Sequence, residues 1–304
     1  SPLKYPFNAM PQLAAARYGK DNIRVYKVHK DEATKTHTVT EMTVCVLLEG
    51  EIDVAYTDAD NGPVVATDTM KNTTYIMAKQ HPVNPPELFA SILGTHFIET
   101  YKHIHTAHIT VVQHRWTRMT VDGKPHPHSF FRDGAETRNV EAAVSREKGI
   151  SLKSAISGLL VLKSTGSQFH SFYRNDFATL PDVYDRILST SVDAQWSWSI
   201  FKDLAAVQKD VDKFDETWIK AREITFRLFA NEDSPSVQNT MYKMCCEILA
   251  AEPGVQAVDY SLPNKHYFEI DLEWHHGLKN TGKDAEVFAP QTDPNGLIKC
   301  TVTR

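Results

Sequence analysis

The same order of secondary-structure signals occurs twice along this chain, and that repetition constrains the fold more than any single motif. In the first half, Ile23 and Val25 alternate with Arg24 and Tyr26 between Asn22 and Lys30, and M-T-V-C-V-L-L-E-G follows at 42–50. Both stretches read as strands, and the polar D-E-A-T-K-T between them reads as a hairpin turn. Residues 66–79 read as a helix capped by Thr67 or Asp68. Residues 85–101 set Leu88, Ile92, Phe97 and Tyr101 near helical spacing. Strands are predicted near 107–118, 127–133 and 138–145. The second half opens with strands near 152–163 and 188–200, then helices over 218–230 and 234–250, the latter with Ser234 as N-cap and Pro235 at the first helical position. V-Q-A-V-D-Y-S-L and Y-F-E-I-D-L-E-W close it as a strand pair joined by P-N-K-H. With the short 127–133 stretch set aside, each half is thus two strands, two helices and two strands, a duplication of elements rather than of letters. Antiparallel hairpins with helices on one face make an α+β fold. A short sheet of this kind leaves edges that need partners, and a closed multi-subunit barrel would remove them. The expected division is a flexible leader at 1–13, a first domain at 14–148 and a second at 149–304.

Bulk properties exclude several classes of function. Hydrophobic residues make up 41% of the 304 and charged residues 23%, so a sizeable core can form. The net charge of −5 lacks the basic footprint of a nucleic-acid binder. The longest nearly apolar run, I-S-G-L-L-V-L at 156–162, is far short of the roughly 20 residues that a membrane helix requires. Cys45, Cys245, Cys246 and Cys300 form no C-x-x-C pair and read as core thiols in a reducing compartment. No G-x-G, H-E-x-x-H or G-x-S-x-G occurs. His126 and His128 share one face of a predicted strand, and His103, His105 and His108 crowd a predicted helix end, yet no cysteine or carboxylate cluster completes a zinc set.

The chemistry-bearing residues are small polar groups beside rings. S-T-G-S-Q-F-H-S-F-Y-R at 164–174 runs from a hydroxyl-rich turn into Phe169, Phe172 and Tyr173, with Arg186 following in T-L-P-D-V-Y-D-R. A phosphate loop is excluded because no Gly-Lys-Ser/Thr follows at Walker spacing. A ring offers a planar ligand a stacking face, and a guanidinium offers a fork of donors in one plane. Val237 and Gln238 fall in the first turn of a predicted helix, where backbone N–H groups lack partners and favour an anion; Thr67 and Asp68 open the other helix. Asn264, Lys265 and His266 occupy the last link. Each also has a bland reading: Thr67 as a cap, Gln238 as a solvated side chain, Arg186 in a surface ion pair, Phe172 and Phe177 as packing.

Several long stretches carry a further signal. L-L-V-L-K-S-T-G-S-Q-F-H-S-F-Y-R-N-D-F-A-T-L-P-D-V-Y-D-R resembles the signature of the urate oxidase family. So do A-R-Y-G-K-D-N at 16–22, V-A-T-D-T-M-K-N-T at 65–73, S-P-S-V-Q-N-T-M-Y at 234–242, L-P-N-K-H-Y-F-E-I-D-L at 262–272 and D-P-N-G-L-I-K-C-T-V near the end. The resemblance, of the fungal type, covers roughly residues 14–304. It implies tandem tunnelling-fold domains in a homotetramer with sites at subunit interfaces. The implied activity is oxidation of urate by O2 to 5-hydroxyisourate and hydrogen peroxide, with neither metal nor organic cofactor. Phe169 would stack on the purine. Arg186, Gln238 and the Val237 backbone would hold its edge, and Thr67 and Asp68 would reach the pocket from a neighbouring subunit. Asn264 would hold oxygen or water above the ring. Lys20, Thr67 and His266 would relay protons; a lysine amine serves as a base only once burial or nearby cations disfavour its ammonium form. A zinc-dependent pterin or purine enzyme of similar fold, using His126 and His128, and a non-catalytic purine-binding protein are the alternatives. The family expectation for location is the peroxisome. The chain ends T-V-T-R without a terminal S-K-L-type tripeptide, which suggests truncation of a longer chain.

Overall fold

The computed structural model describes residues 10–304; most of the expected leader lies outside the described residues. In chain order the elements are β1 (Tyr18–Lys30), β2 (His37–Gly50), α1 (Asp53–Thr57), α2 (Thr67–Gln80), α3 (Pro86–Thr100), β3 (Ile104–His114), β4 (Thr117–Val121), β5 (Lys124–Phe131) and β6 (Thr137–Ser145). The second half continues with β7 (Gly149–Lys163), β8 (Leu188–Trp198), α4 (Leu204–Lys209), α5 (Val211–Asn231), α6 (Val237–Ala251), β9 (Val255–Asn264), β10 (Tyr267–Glu269), β11 (Phe288–Pro290) and β12 (Gly296–Thr303). Two compact units result, and they interleave in sequence. One holds the chain to Gln113 with Val140–Leu152 and Ile200–Lys209; the other holds His114–Asn139, Lys153–Ser199 and Asp210–Arg304.

In the first unit the strand order is β1-β2-β3-β6, with β1 and β2 antiparallel. Met42, Val44, Val46 and Leu48 are buried at every second position of β2, so one face of the sheet is apolar throughout. Helix α3 is apolar nearly all round and is buried along most of its length. Gly94 lets it approach the sheet closely: a Cβ there would lie 2.5 Å from Cγ2 of Val144. The Lys27 ammonium reaches from β1 to the end of α2, donating to the Ala78 and His81 carbonyls at 2.6 and 2.8 Å. A cation there complements the negative end of the helix dipole.

In the second unit the order is β7-β8-β9-β12, all antiparallel. Phe214, Ala221, Ile224 and Leu228 form the buried stripe of α5, and Val237, Met241, Met244, Cys245 and Ile248 that of α6. Trp198 meets Phe214 edge-on at 5.0 Å and donates its indole N–H to the Ser154 hydroxyl at 3.0 Å. The buried Tyr260 and Thr225 hydroxyls share a 2.6 Å hydrogen bond, which satisfies two polar groups inside the core. The opposite face of this sheet is an open hollow of about 460 Å³ lined in part by Asp193, Gln195, Asp259 and Lys299.

The α+β class, with helices on antiparallel sheet, is as the sequence predicts, but three local expectations are corrected. Neither Thr67 nor Asp68 caps α2: the cap is Ala66, with no side-chain bond, and Thr67 is already helical. Helix α6 is capped by Ser236, whose hydroxyl accepts from the Asn239 N–H, not by Ser234. The third concerns the last strand pair. V-Q-A-V-D-Y-S-L does not pair with Y-F-E-I-D-L-E-W; β9 pairs with β12, and β10 pairs with β11 in a separate ladder.

Asn280 closes the excursion between β10 and β11. Its buried amide donates to the Ile270 and Val287 carbonyls, both at 2.8 Å, and accepts from the Glu286 and Val287 N–H groups at 2.9 and 3.0 Å. Asn280→Ala is therefore expected to cost about 1–3 kcal/mol, because it removes all four of the hydrogen bonds that close the excursion. Urea unfolding should show the loss, and amide exchange should accelerate across 270–287.

Candidate active site

Three of the sequence-predicted residues lie in the first unit. Lys20 sits on β1 opposite Val46, just before a register shift in the β1–β2 ladder, and Asn22 takes a positive φ of 56° there. Lys20 is half-buried. Gly19 brings the strand close: an added Cβ would fall 1.7 Å from the Val46 carbonyl oxygen. No side chain fits there without moving β1. Gly19→Ala is expected to cost about 1–3 kcal/mol by overpacking and to displace Lys20. The check is thermal melting, with a lowered midpoint expected.

The start of α2 is tied to the same strand. The Tyr18 hydroxyl accepts from the Val65 N–H at 2.7 Å and donates to the Val65 carbonyl at 3.0 Å. Thr67 follows two residues later, half-buried, with the amides of the first turn unclaimed by any capping side chain. The exposed Asp68 carboxylate takes Lys71 Nζ at 2.8 Å and Asn72 Nδ2 at 3.2 Å. The Lys71 hydrogen bond and charge hold its pKa below the usual carboxylate range, and the Lys20 charge adds a smaller pull in the same direction.

The other six residues lie in the second unit. Arg186 places its guanidinium carbon 5.5 Å from the Phe169 ring centroid. Burial lowers the Arg186 pKa, but a guanidinium stays charged. Phe172 stacks on Phe169 at 4.9 Å with ring planes 4° apart, which matches its reading as a packing neighbour. Phe177, also read as packing, is instead 92% exposed. Backbone bonds of 2.8 Å run both ways between Phe169 and Val183. Ser167 bridges in parallel to Ser234, two residues before the cap of α6, and so brings the turn to the helix start that carries buried Val237 and exposed Gln238. The N–H groups of Val237 and Gln238 have no helical acceptor, as expected of a first turn. Asn264 ends β9, and Lys265 bonds to the Ser189 carbonyl at 3.0 Å, three residues beyond Arg186. His266 follows; its ring stacks near Phe268 at 5.9 Å and its carbonyl accepts from the Gln291 N–H at 2.9 Å.

The structure thus gathers Phe169, Arg186, Val237 and Gln238 about the S-T-G-S turn, joins the Asn264–His266 link to β8, and gathers Lys20, Thr67 and Asp68 separately. Sequence reasoning passed over Ser167 and Asp185, which organise the turn. Ser167 was visible only as one hydroxyl of the S-T-G-S turn, and Asp185 only by preceding Arg186 in the D-R pair, which reads as a solvated loop carboxylate. His126 and His128 do share β5, with rings 4.5 Å apart. Among the described residues, no group of three or more His, Cys, Asp and Glu side chains is arranged to hold a metal ion.

A family model described as "Uricase" matches residues 16–143 and 152–299. The uricase of Emericella nidulans is 66% identical over 295 residues, covering 97% of this chain and 98% of that protein. The uricase of Aspergillus flavus is 65% identical with the same coverage. The crystal structure of uricase from Arthrobacter globiformis superposes with a TM-score of 0.86 at 33% identity, covering 97% of this chain and 96% of that one.

Proposed function

The chain belongs to the uricase family and is a urate oxidase, and from that premise we propose how its own residues bind urate and move protons. The observation that carries the reading is the convergence of a partly desolvated guanidinium, a stacking ring and the start of α6 on one turn. Urate is planar, anionic and rich in acceptors along its edge. Phe169 takes its face. Arg186, the Gln238 amide and the Val237 N–H take its edge, where a helix start and a cation both favour negative charge.

Urate is electron-rich, so a second deprotonation prepares it to reduce O2 directly. Lys20 and Thr67 carry that proton away, with Thr67 passing it between purine and amine. Asn264 holds O2, and then water, above the ring, while His266 orders that water. Two electrons leave the purine for O2. Water adds to the oxidised ring to give 5-hydroxyisourate, and the reduced O2 takes up two protons, one of them returned by the relay, and leaves as hydrogen peroxide. Thr67 and Asp68 complete the pocket from a neighbouring copy in a homotetramer. Two features support that assembly: among the described residues β1 and β12 each have a neighbour on one side only, and Phe268, Trp274 and Val287 are exposed around the β10–β11 excursion. Release of peroxide favours placement in the peroxisome; cofractionation of the native protein with catalase would test this.

The decisive assay follows urate absorbance, O2 uptake and peroxide together in metal-depleted protein, with molar mass measured by light scattering. One O2 consumed and one peroxide released per urate, from a tetramer, is the expected result. Untouched urate, or full activity from a monomer, overturns the proposal.

A further inference from the structure

We infer that Ser167 and Asp185 are positioning residues that aim the Arg186 guanidinium at the purine edge. The inference rests on the proposed role of Arg186 as the clamp. Arg186 donates from Nε to the Ser167 hydroxyl at 3.2 Å. That bond occupies the inner nitrogen, so the terminal Nη groups are the ones turned to a ligand. A guanidinium held at Nε presents two N–H groups side by side to adjacent acceptors, whereas a free one rotates.

The Ser167 hydroxyl can act as an anchor because its own place is over-determined. Ser167 is fully buried. The residue before it accepts from the Ser234 N–H at 2.9 Å, and the residue after it donates to the Ser234 carbonyl at 2.7 Å. Asp185 fixes the remaining side of the turn. Its carboxylate accepts from the Thr165 hydroxyl at 2.8 and 2.9 Å and from the Gly166 N–H at 2.9 Å. Gly166 has φ of +82°, a left-handed conformation that a carboxylate bound to its amide helps to hold. Because Asp185 directly precedes Arg186, the same carboxylate locks the turn to the segment that carries the guanidinium. Neither side chain needs to touch urate for its loss to be felt there.

The test is a KM and kcat comparison in two backgrounds. Ser167→Ala is expected to raise KM for urate about 5- to 10-fold, less than the loss of a charge-assisted hydrogen bond to the ligand itself, because the guanidinium is freed to rotate but not removed, with kcat changed less than about twofold. Ser167→Thr, which keeps the hydroxyl, should recover most of the affinity. In an Arg186→Gln background, Ser167→Ala should have no further effect on KM, since it acts only through the guanidinium. A merely structural serine would weaken binding equally in both backgrounds. That outcome, or an unchanged KM for Ser167→Ala in the native background, overturns the inference. Should Ser167→Ala not fold, Asp185→Asn carries the same comparison. If Arg186→Gln alone leaves KM unchanged, the clamp itself is wrong; if it raises KM while Ser167→Ala and Asp185→Asn do not, only this inference falls.

Discussion

Replacing Lys20 by Met is expected to lower urate turnover by about two to four orders of magnitude, the usual worth of a positioned acid–base group, while KM changes less than about threefold. Thr67→Ala should do the same. The reasoning is geometric. Lys20 is half-buried on β1 two residues from Tyr18, and Thr67 lies two residues from Val65, the partner of the Tyr18 hydroxyl. The two reactive groups are therefore carried by segments pinned to each other. Ala66 caps α2 without a side-chain bond, so the Thr67 hydroxyl is not consumed as a cap and can serve a proton path. Met keeps the unbranched length of Lys and removes only the amine. If the pair works as one relay, the double variant should lose no more than either single one. Steady-state kinetics with O2 uptake would decide: turnover near the native value in either variant removes that residue from the chemistry, and strictly multiplicative losses break the relay into independent parts.

Much of the fold could be read from local pattern because the pattern has a direct physical cause. The alternation in β2 is a strand with one buried face, and Met42, Val44, Val46 and Leu48 fill it as expected. What failed depends on contacts between distant parts of the chain. P-N-K-H looks like a hairpin turn, but β9 takes its partner from Gly296–Thr303, and Asn280 gathers the residues between into a separate ladder. No period in the letters reveals a pairing across such a distance. Cap assignment failed for another reason: Ser234 and Ser236 are both plausible caps, and the choice was made by the bridge that commits Ser234 to the S-T-G-S turn. The site was legible as residue types in long motifs, and Phe169 and Arg186 stand out as a ring and a cation. Ser167 and Asp185 stayed hidden because a serine and a loop carboxylate look solvated until the turn is folded.

Arg186→Gln is expected to raise KM for urate by about 10- to 150-fold, the range set by losing a charge-assisted hydrogen bond worth about 1.5–3 kcal/mol. Turnover at saturation should fall much less, because the guanidinium holds substrate and transition state alike. Two features argue for an effect of this size rather than the smaller one typical of surface arginines. The guanidinium is partly desolvated, so the anion it meets is screened less than at an open surface. Its hydrogen-bond partner is the neutral Ser167 hydroxyl, and no carboxylate forms an ion pair with it among the described residues, which leaves its charge available to a ligand. Arg186→Lys separates charge from shape: a lysine restores the cation without the planar fork, and it should recover less than half of the lost binding free energy if the fork is what urate reads. Thermal stability should hardly move in either variant. Equilibrium binding of xanthine, a purine dione without the oxygen at C8, isolates recognition from oxidation and should weaken in parallel with KM. An Arg186→Gln protein that binds both purines as tightly as the native chain would require the edge of urate to be held by α6 alone.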